Sequence, residues 1–182
     1  MKKLTALPLL MLGLLFLSAT SCKEDDDTPN NPIDQLPPAT QTGENTFGCL
    51  LDGEAFIPSG GGNPLDCVYQ FVDGGYYFSV QGNKRDNQNI LRRISIGVLN
   101  RELIEDFTYE LKENEDGNAT GRFFFGALSN FTSANNAGEL IITKLDIENQ
   151  KVSGVFWFDV EHPVTGEIVE IREGRFDMKY RQ

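Results

Sequence analysis

Short runs of alternating hydrophobic and polar residues fill the chain from residue 46 to its end. The runs are rich in Phe, Val, Ile and Tyr, and Asp-Gly, Gly-Gly and Asn-rich segments separate them. Alternation with a period of two is typical of strands with one buried face, and Asp-Gly is typical of tight hairpin turns. No long helical period is present in this region. The pattern predicts a single all-β domain over residues 46–182.

The alternating runs also predict where the strands lie. They are 46–51, 54–58, 67–72, 76–81, 90–98, 107–111, 122–128, 139–145, 152–160, 167–172 and 175–180. Asp52-Gly53 is the predicted turn of the first hairpin, and Glu173-Gly174 is predicted to be a tight turn between the last two strands. Strands at this short spacing predict an antiparallel two-sheet β-sandwich, with a closed or half-open β-barrel as the alternative.

The first 21 residues follow a different pattern. Lys2 and Lys3 precede an apolar stretch over residues 4–17, and small polar residues then lead to Cys22. The apolar stretch is shorter than the roughly 20 residues that a membrane-spanning helix needs, so it indicates a secretory signal. The residues before Cys22 resemble a bacterial lipobox. Residues 1–21 are therefore predicted to be a lipoprotein signal peptide and Cys22 the lipidated residue, the alternative being cleavage near Ala19 without lipidation.

Residues 22–45 lack the apolar content of a folded segment. An acidic run, Glu24 to Asp27, follows Lys23, and the segment holds four of the eight prolines of the chain. Such a composition buries too little apolar surface to offset its ordering entropy, which predicts a disordered tether. A lysine and an acidic cluster after a lipidated cysteine also resemble the export signal of Bacteroidota lipoproteins. We expect an outer-membrane, lipid-anchored protein exposed at the cell surface, with the periplasmic face as the alternative.

Charge and composition narrow the classes of function. The chain has 182 residues and a formal net charge of −11, which argues against nucleic acid as a partner, because nucleic-acid affinity depends on basic residues. One histidine and three cysteines leave no zinc motif or Ser-His-Asp signature. His162 is predicted to lie in a loop. The acidic residues Glu113, Glu115 and Asp116 do not have the spacing of an EF-hand. No cofactor, metal site or catalytic residue is predicted.

Two sets of residues are candidates for a structural bond and for ligand contact. Cys49 and Cys67 form an even pair in an exported chain, so a disulfide is predicted, the alternative being two buried thiols. Tyr77, Phe124 and Trp157 are the middle members of three aromatic triplets. Because neighbouring residues of a strand point to opposite faces, a middle ring can lie exposed for a glycan or protein partner. Packing in the core or at a sheet edge is the other interpretation.

Several blocks of the domain carry a family resemblance. They are 46–58, 138–146, 152–158 and 173–177. In these blocks and in their order the chain resembles a family of Bacteroidota lipoproteins known only as a domain of unknown function. The resemblance implies an exported β domain of the cell envelope, and it brings no activity with it.

Two functions of different class follow from these observations. The first is a non-catalytic binding or interaction module displayed on the outer membrane, because nothing in the chain indicates a reaction centre. The alternative is a carboxylate-dependent polysaccharide hydrolase, which needs two facing acids about 5 to 9 Å apart in a cleft.

Overall fold

The computed structural model describes residues 31–60 and 63–182, and the regular secondary structure of this part of the chain is strands apart from one 3₁₀ turn at Pro32–Gln35. The strands are β1 (Thr46–Leu51), β2 (Glu54–Phe56), β3 (Leu65–Val72), β4 (Gly75–Arg85), β5 (Leu91–Val98), β6 (Thr108–Leu111), β7 (Ala119–Phe125), β8 (Leu128–Phe131), β9 (Gly138–Asp146), β10 (Lys151–Glu161) and β11 (Ile168–Lys179). The prediction of an all-β fold is confirmed.

All eleven strands belong to one hydrogen-bonded sheet. Its order is β2-β1-β11-β10-β9-β6-β7-β5-β4-β3, and β8 pairs with β7 outside this path. Neighbouring strands are antiparallel except β6 and β7, which pair in parallel. The sheet is open, with β2 and β3 at its ends, so it is not a closed barrel.

The sheet folds over on itself, which gives the two layers that a sandwich requires. Phe78 of β4 and Phe176 of β11 lie with ring centroids 6.0 Å apart, although five strands separate β4 from β11 in the sheet order. Gly121 of β7 leaves room for the ring of Phe158 of β10 in the same way. The buried side chains of both layers form one core, so the predicted two-layer packing is made by a single continuous sheet.

The early hairpins form as the sequence predicts. Asp52 and Gly53 both have positive φ angles, 51° and 83°, and they join β1 to β2. Such a pair of left-handed residues suits the twist of a two-residue hairpin. Asp73 and Gly74 join β3 to β4 with φ angles of 50° and 87°.

The predicted turn at Glu173-Gly174 is wrong. β11 runs without interruption from Ile168 to Lys179, and Glu173, with a φ of 52°, lies in a β-bulge. The register changes between Phe156, which pairs with Gly174, and Phe158, which pairs with Ile171. A bulge and a tight turn share the same local signal, a left-handed residue beside a glycine. The chain continues as a strand because β1 and β10 pair with β11 on both sides of the bulge.

The predicted disordered tether does not hold for residues 36–45, which we call the N-terminal strap. Leu36 is buried, and Pro37 lies against Gly48 of β1, where a Cβ atom would come within 2.6 Å of the proline ring. Gln41 donates a hydrogen bond to the Thr143 carbonyl of β9. The strap thus crosses the outer face of the sheet, and the packed unit begins before residue 46.

The two cysteines of the domain are separate buried thiols, not a disulfide. Burial raises the pKa of the Cys49 thiol, and burial together with the charge of Asp66 raises that of Cys67. The signal peptide at 1–21, Cys22 and the acidic run lie outside the described residues. Within residues 31–60 and 63–182, no helix has the length and apolar character to cross a membrane.

Candidate functional site

A groove of about 590 Å³ lies on the outer face of β9, β10 and β11. Half-buried Ile141 and Val155, which pair across β9 and β10, give it an apolar floor together with Trp157. Charged side chains and one residue of the N-terminal strap surround this floor. They are Glu139, Arg172, Glu173, Arg175 and Ala39. An apolar floor with a few polar groups at its edge is typical of ligand sites.

Two bulges aim side chains into this groove. In β9, Thr143 lies between the pairs Lys144–Ser153 and Ile142–Gly154, so the register shifts by one residue. This shift sets Glu139 directly opposite Trp157. On the other side of β10, the β11 bulge sets both Arg172 and Glu173 beside Trp157. Bulges commonly redirect side chains in this way at functional sites.

Trp157 is held in place by a neighbour on each side. Its Nε1 donates a hydrogen bond of 3.2 Å to Glu139 Oε2. The guanidinium carbon of Arg172 lies 5.4 Å from the indole centroid, within the range of a cation–π contact. The side chain nevertheless stays 39% exposed, so part of the ring faces solvent. Trp157 is therefore an oriented and accessible ring in the groove.

Arg172 is itself fixed by several contacts. Its Nη1 donates to the carbonyls of Phe158 and Ile171, and its Nη2 lies 2.7 Å from Asp159 Oδ1 and 3.2 Å from Glu170 Oε1. A guanidinium anchored in this way loses little freedom when a ligand binds. Across the groove, Arg175 pairs with Glu173 at 3.4 Å.

The groups around Trp157 offer both donors and acceptors of hydrogen bonds. Arg172 and Arg175 can only donate, whereas Glu139 and Glu173 accept. A sugar hydroxyl does both, and the C–H face of a pyranose ring is apolar enough to lie against an indole. The groove therefore offers the donors, acceptors and apolar ring that carbohydrate binding requires.

One wall of the groove depends on a buried carboxylate. Asp177, on the outer face of β11, is fully buried beneath the N-terminal strap. It accepts five hydrogen bonds of 2.7 to 3.2 Å, whose donors are Thr40 Oγ1, Thr42 N, Gly43 N, Glu44 N and Ser153 Oγ. Burial alone would raise the pKa of Asp177, but these hydrogen bonds outweigh it and lower the pKa to about 2. The bonds hold the strap, which includes Ala39.

The three aromatic candidates lie in different places. Trp157 lies in the groove, whereas Phe124 is on β7 and Tyr77 on β4. Phe124 is half-buried between the guanidinium groups of Arg122 and Arg93. Tyr77 is half-buried opposite Gln70 of β3. The structure does not bring the three rings together into one platform.

His162 and Asp66 both have structural partners. His162 Nδ1 accepts hydrogen bonds of 3.2 Å from the backbone N–H groups of Val164 and Thr165, so this histidine shapes its own turn. Asp66 pairs with Arg181 at 2.6 Å. In the described part of the chain, no group of three or more His, Cys, Asp or Glu side chains is placed to hold a metal ion.

Sequence reasoning missed the charged residues around Trp157. A signal for Glu139 was present in the sequence. Regular pairing, counted from the turn between β9 and β10, would place Trp157 opposite Leu140, and directly paired residues point to the same face. The hydrophobic alternation, however, requires Leu140 to point inward and Trp157 outward. This conflict predicts a bulge in β9 and a partner one residue away. No such signal existed for Arg172 and Arg175, since the interpretation of Glu173-Gly174 as a turn concealed their register.

Residues 72–178 match the model of a family described as a domain of unknown function, DUF6252. The match covers more than half of the chain, including every groove residue except Ala39 and three of the four blocks behind the resemblance. No curated protein matches the chain, and no solved structure does.

Proposed function

Because this chain belongs to the DUF6252 family, whose description names no function, we propose its function from the groove itself: a non-catalytic module that binds carbohydrate at Trp157. The observation that carries the proposal is an indole that is oriented by Glu139 and Arg172 and yet 39% exposed above an apolar floor. Exposure of a large aromatic ring to water is unfavourable in free energy, and a ligand that covers the ring would remove this cost. Its position on strands rather than loops keeps the site rigid.

Trp157 is the only tryptophan of the chain, so its fluorescence reports on this site alone. We expect a saturable blue shift of its emission when the bound sugar displaces water from the ring. The probes are soluble neutral polysaccharides and their oligosaccharides, titrated into the protein. No response to any of them would contradict the proposal.

Calorimetry with a Trp157→Ala variant tests the same site without relying on tryptophan fluorescence. We expect affinity to fall about tenfold or more, because a stacked ring is worth on the order of 1–3 kcal/mol. Phe71→Ala is the matched control, since Phe71 is 62% exposed and lies outside the groove. This control should bind like the unchanged protein, and equal loss in both variants would contradict a specific role for Trp157.

A polysaccharide hydrolase is the second candidate, and one observation favours it. Glu139 and Glu173 lie on the two strands that flank Trp157, so the groove holds two carboxylates and an aromatic ring. A glycosidase needs one carboxyl group that keeps its proton, which a desolvated pocket provides. Both glutamates are exposed, and each already has a donor, Trp157 or Arg175. Release of reducing ends that disappears in Glu139→Gln or Glu173→Gln would establish the hydrolase instead.

We also propose that this module is an outer-membrane lipoprotein of the Bacteroidota type, anchored through Cys22 and exposed at the cell surface. The support is the lipobox-like sequence before Cys22 and the acidic run after it. Ala39 of the N-terminal strap lines the groove, so the strap and the proposed ligand site share one face of the domain.

A further inference from the structure

A second polar surface lies on the outer face of β5, β7 and β8, apart from the Trp157 groove. Phe124 pairs with Arg93 of β5 in the sheet, and Arg122 pairs with Phe131 of β8. The guanidinium carbon of Arg122 is 4.0 Å from the Phe124 centroid and 4.4 Å from that of Phe131. That of Arg93 is 5.0 Å from Phe124. We call Arg93, Arg122, Phe124 and Phe131 the arginine platform.

The two arginines have only neutral hydrogen-bond partners. Arg93 Nε donates to Asn83 Oδ1 at 2.7 Å, and Arg122 donates through Nε and Nη2 to Ser129 Oγ at 3.1 and 2.8 Å. Among the ion pairs of the described residues, neither arginine has a carboxylate partner. By contrast, four other arginines do; they are Arg92, Arg172, Arg175 and Arg181.

The chain has 27 acidic residues against 16 basic ones, and yet within the described residues no carboxylate forms an ion pair with either of these two neighbouring arginines. Partial burial and the nearby charge of Arg93 both lower the pKa of Arg122, so the two cations repel each other. An anion bound between them would relieve this repulsion and accept forked hydrogen bonds from the free N–H groups. Contact with the rings holds both guanidinium planes in position before a ligand arrives.

We propose that the arginine platform binds the sulfate or carboxylate groups of an anionic polysaccharide. Two cations suit isolated acidic groups spaced along a polymer. They do not suit nucleic acid or an anionic membrane, because binding to either depends on many basic contacts. The inference does not depend on the function proposed for Trp157, since the two sites use different residues on different strands.

The experiment uses the whole chain and a set of defined polymers. The probes are dextran of low sulfate content for sulfate, polygalacturonate for carboxylate, and unmodified dextran as the neutral reference. We expect binding of one or both charged polymers, weakening as salt rises because exposed charges are screened. The preferred polymer identifies the acidic group. Binding of poly-glutamate as tight as that of the polysaccharides would overturn the carbohydrate assignment and indicate an acidic peptide instead.

Variants separate this site from the groove and from general charge. Arg93→Gln with Arg122→Gln should weaken binding of the charged polymer about tenfold or more. Lys179→Gln with Arg181→Gln removes the same charge from another exposed surface and should change binding by less than about twofold. Trp157→Ala should leave charged-polymer binding intact, so the two proposals fail separately. Equal loss in the Gln pair and in its control would overturn the platform.

A third variant covers the case in which the Gln pair fails to fold. Arg93→Lys with Arg122→Lys keeps both charges and the aliphatic cover of the rings but removes the planar fork of donors. Thermal unfolding establishes that each variant is folded. We expect the Lys pair to bind the charged polymer several-fold more weakly than the unchanged protein, and undiminished binding would show that charge alone suffices, against a preformed site.

Discussion

Asp177 is the residue on which the attachment of the N-terminal strap depends. It is fully buried and charged, and its five hydrogen-bond donors come from the strap and from Ser153. Its pKa of about 2 lies below the ordinary value of 3.8, so the folded state binds the proton less tightly than the unfolded chain does. The ionised carboxylate therefore stabilises the fold above pH 4, and this stabilisation is lost as the pH falls toward 2.

Replacing Asp177 with Asn should lower the free energy of unfolding by about 2 kcal/mol at neutral pH, as the size of the pKa shift implies. Urea unfolding at several pH values measures this loss. The difference from the unchanged protein should shrink as the pH falls through the range from about 4 to about 2. Thr40→Val removes one of the five bonds and should cost about 1 kcal/mol. A difference for Asp177→Asn that stays constant with pH would contradict the charge argument.

Among the elements, β11 shows most clearly what the sequence can and cannot predict. Its inward residues, Val169, Ile171, Phe176 and Met178, are all buried, and alternation within each half of the strand predicts them. The alternation of inward and outward residues changes phase at Glu173-Gly174. The local sequence is compatible with either a turn or a bulge at this point. Pairing with β1 and β10 decides in favour of the bulge, and such non-local pairing is not encoded in any short window of sequence.

Gly174 makes the bulge in β11 possible. A Cβ atom there would lie 2.4 Å from Phe156 Cε2 in the core, so Gly174→Ala should destabilise the protein by about 1–3 kcal/mol and displace Phe156, the neighbour of Trp157. Urea unfolding gives the stability, and a shifted tryptophan emission would report the disturbed groove. Gly97→Ala is the control, because its Cβ would come no closer than 3.4 Å to other atoms. Equal stability of the two variants would contradict this role of Gly174.

For the whole molecule, period-two alternation sufficed to predict an all-β chain with two packed layers, because one face of nearly every strand is buried. It could not predict that β6 lies between β9 and β7 and joins the layers into one sheet. The alternation also could not predict that Ile141 and Val155 form the apolar floor of a groove. Both residues occupy ordinary strand positions. They become part of a site because the bulges in β9 and β11 place charged neighbours around them.

The proposed lipid anchor also concerns the whole molecule. Cys22→Ala removes the proposed acylation site, so the protein should move from the membrane fraction to soluble fractions, since the acyl chains supply nearly all of the membrane affinity. Fractionation and immunoblotting measure this. Ser21→Ala, which leaves the cysteine in place, should remain membrane-bound. Retention of the Cys22→Ala protein in the membrane fraction would contradict the lipid anchor, while inaccessibility to external protease would contradict surface exposure alone.

The strap held by Asp177 also determines how the domain would respond to mechanical load. Anchored at Cys22 as proposed, a domain that grips a fixed polymer would be pulled through its N-terminal end. Within the strap, the tension would reach Leu36 first and then Thr40 to Glu44, breaking their contacts one after another rather than all at once. Peeling off these residues would release about 30 Å of chain before the load reached β1. It would also carry Ala39 away from the groove, so a strong pull would loosen the hold on the polymer before the fold gave way.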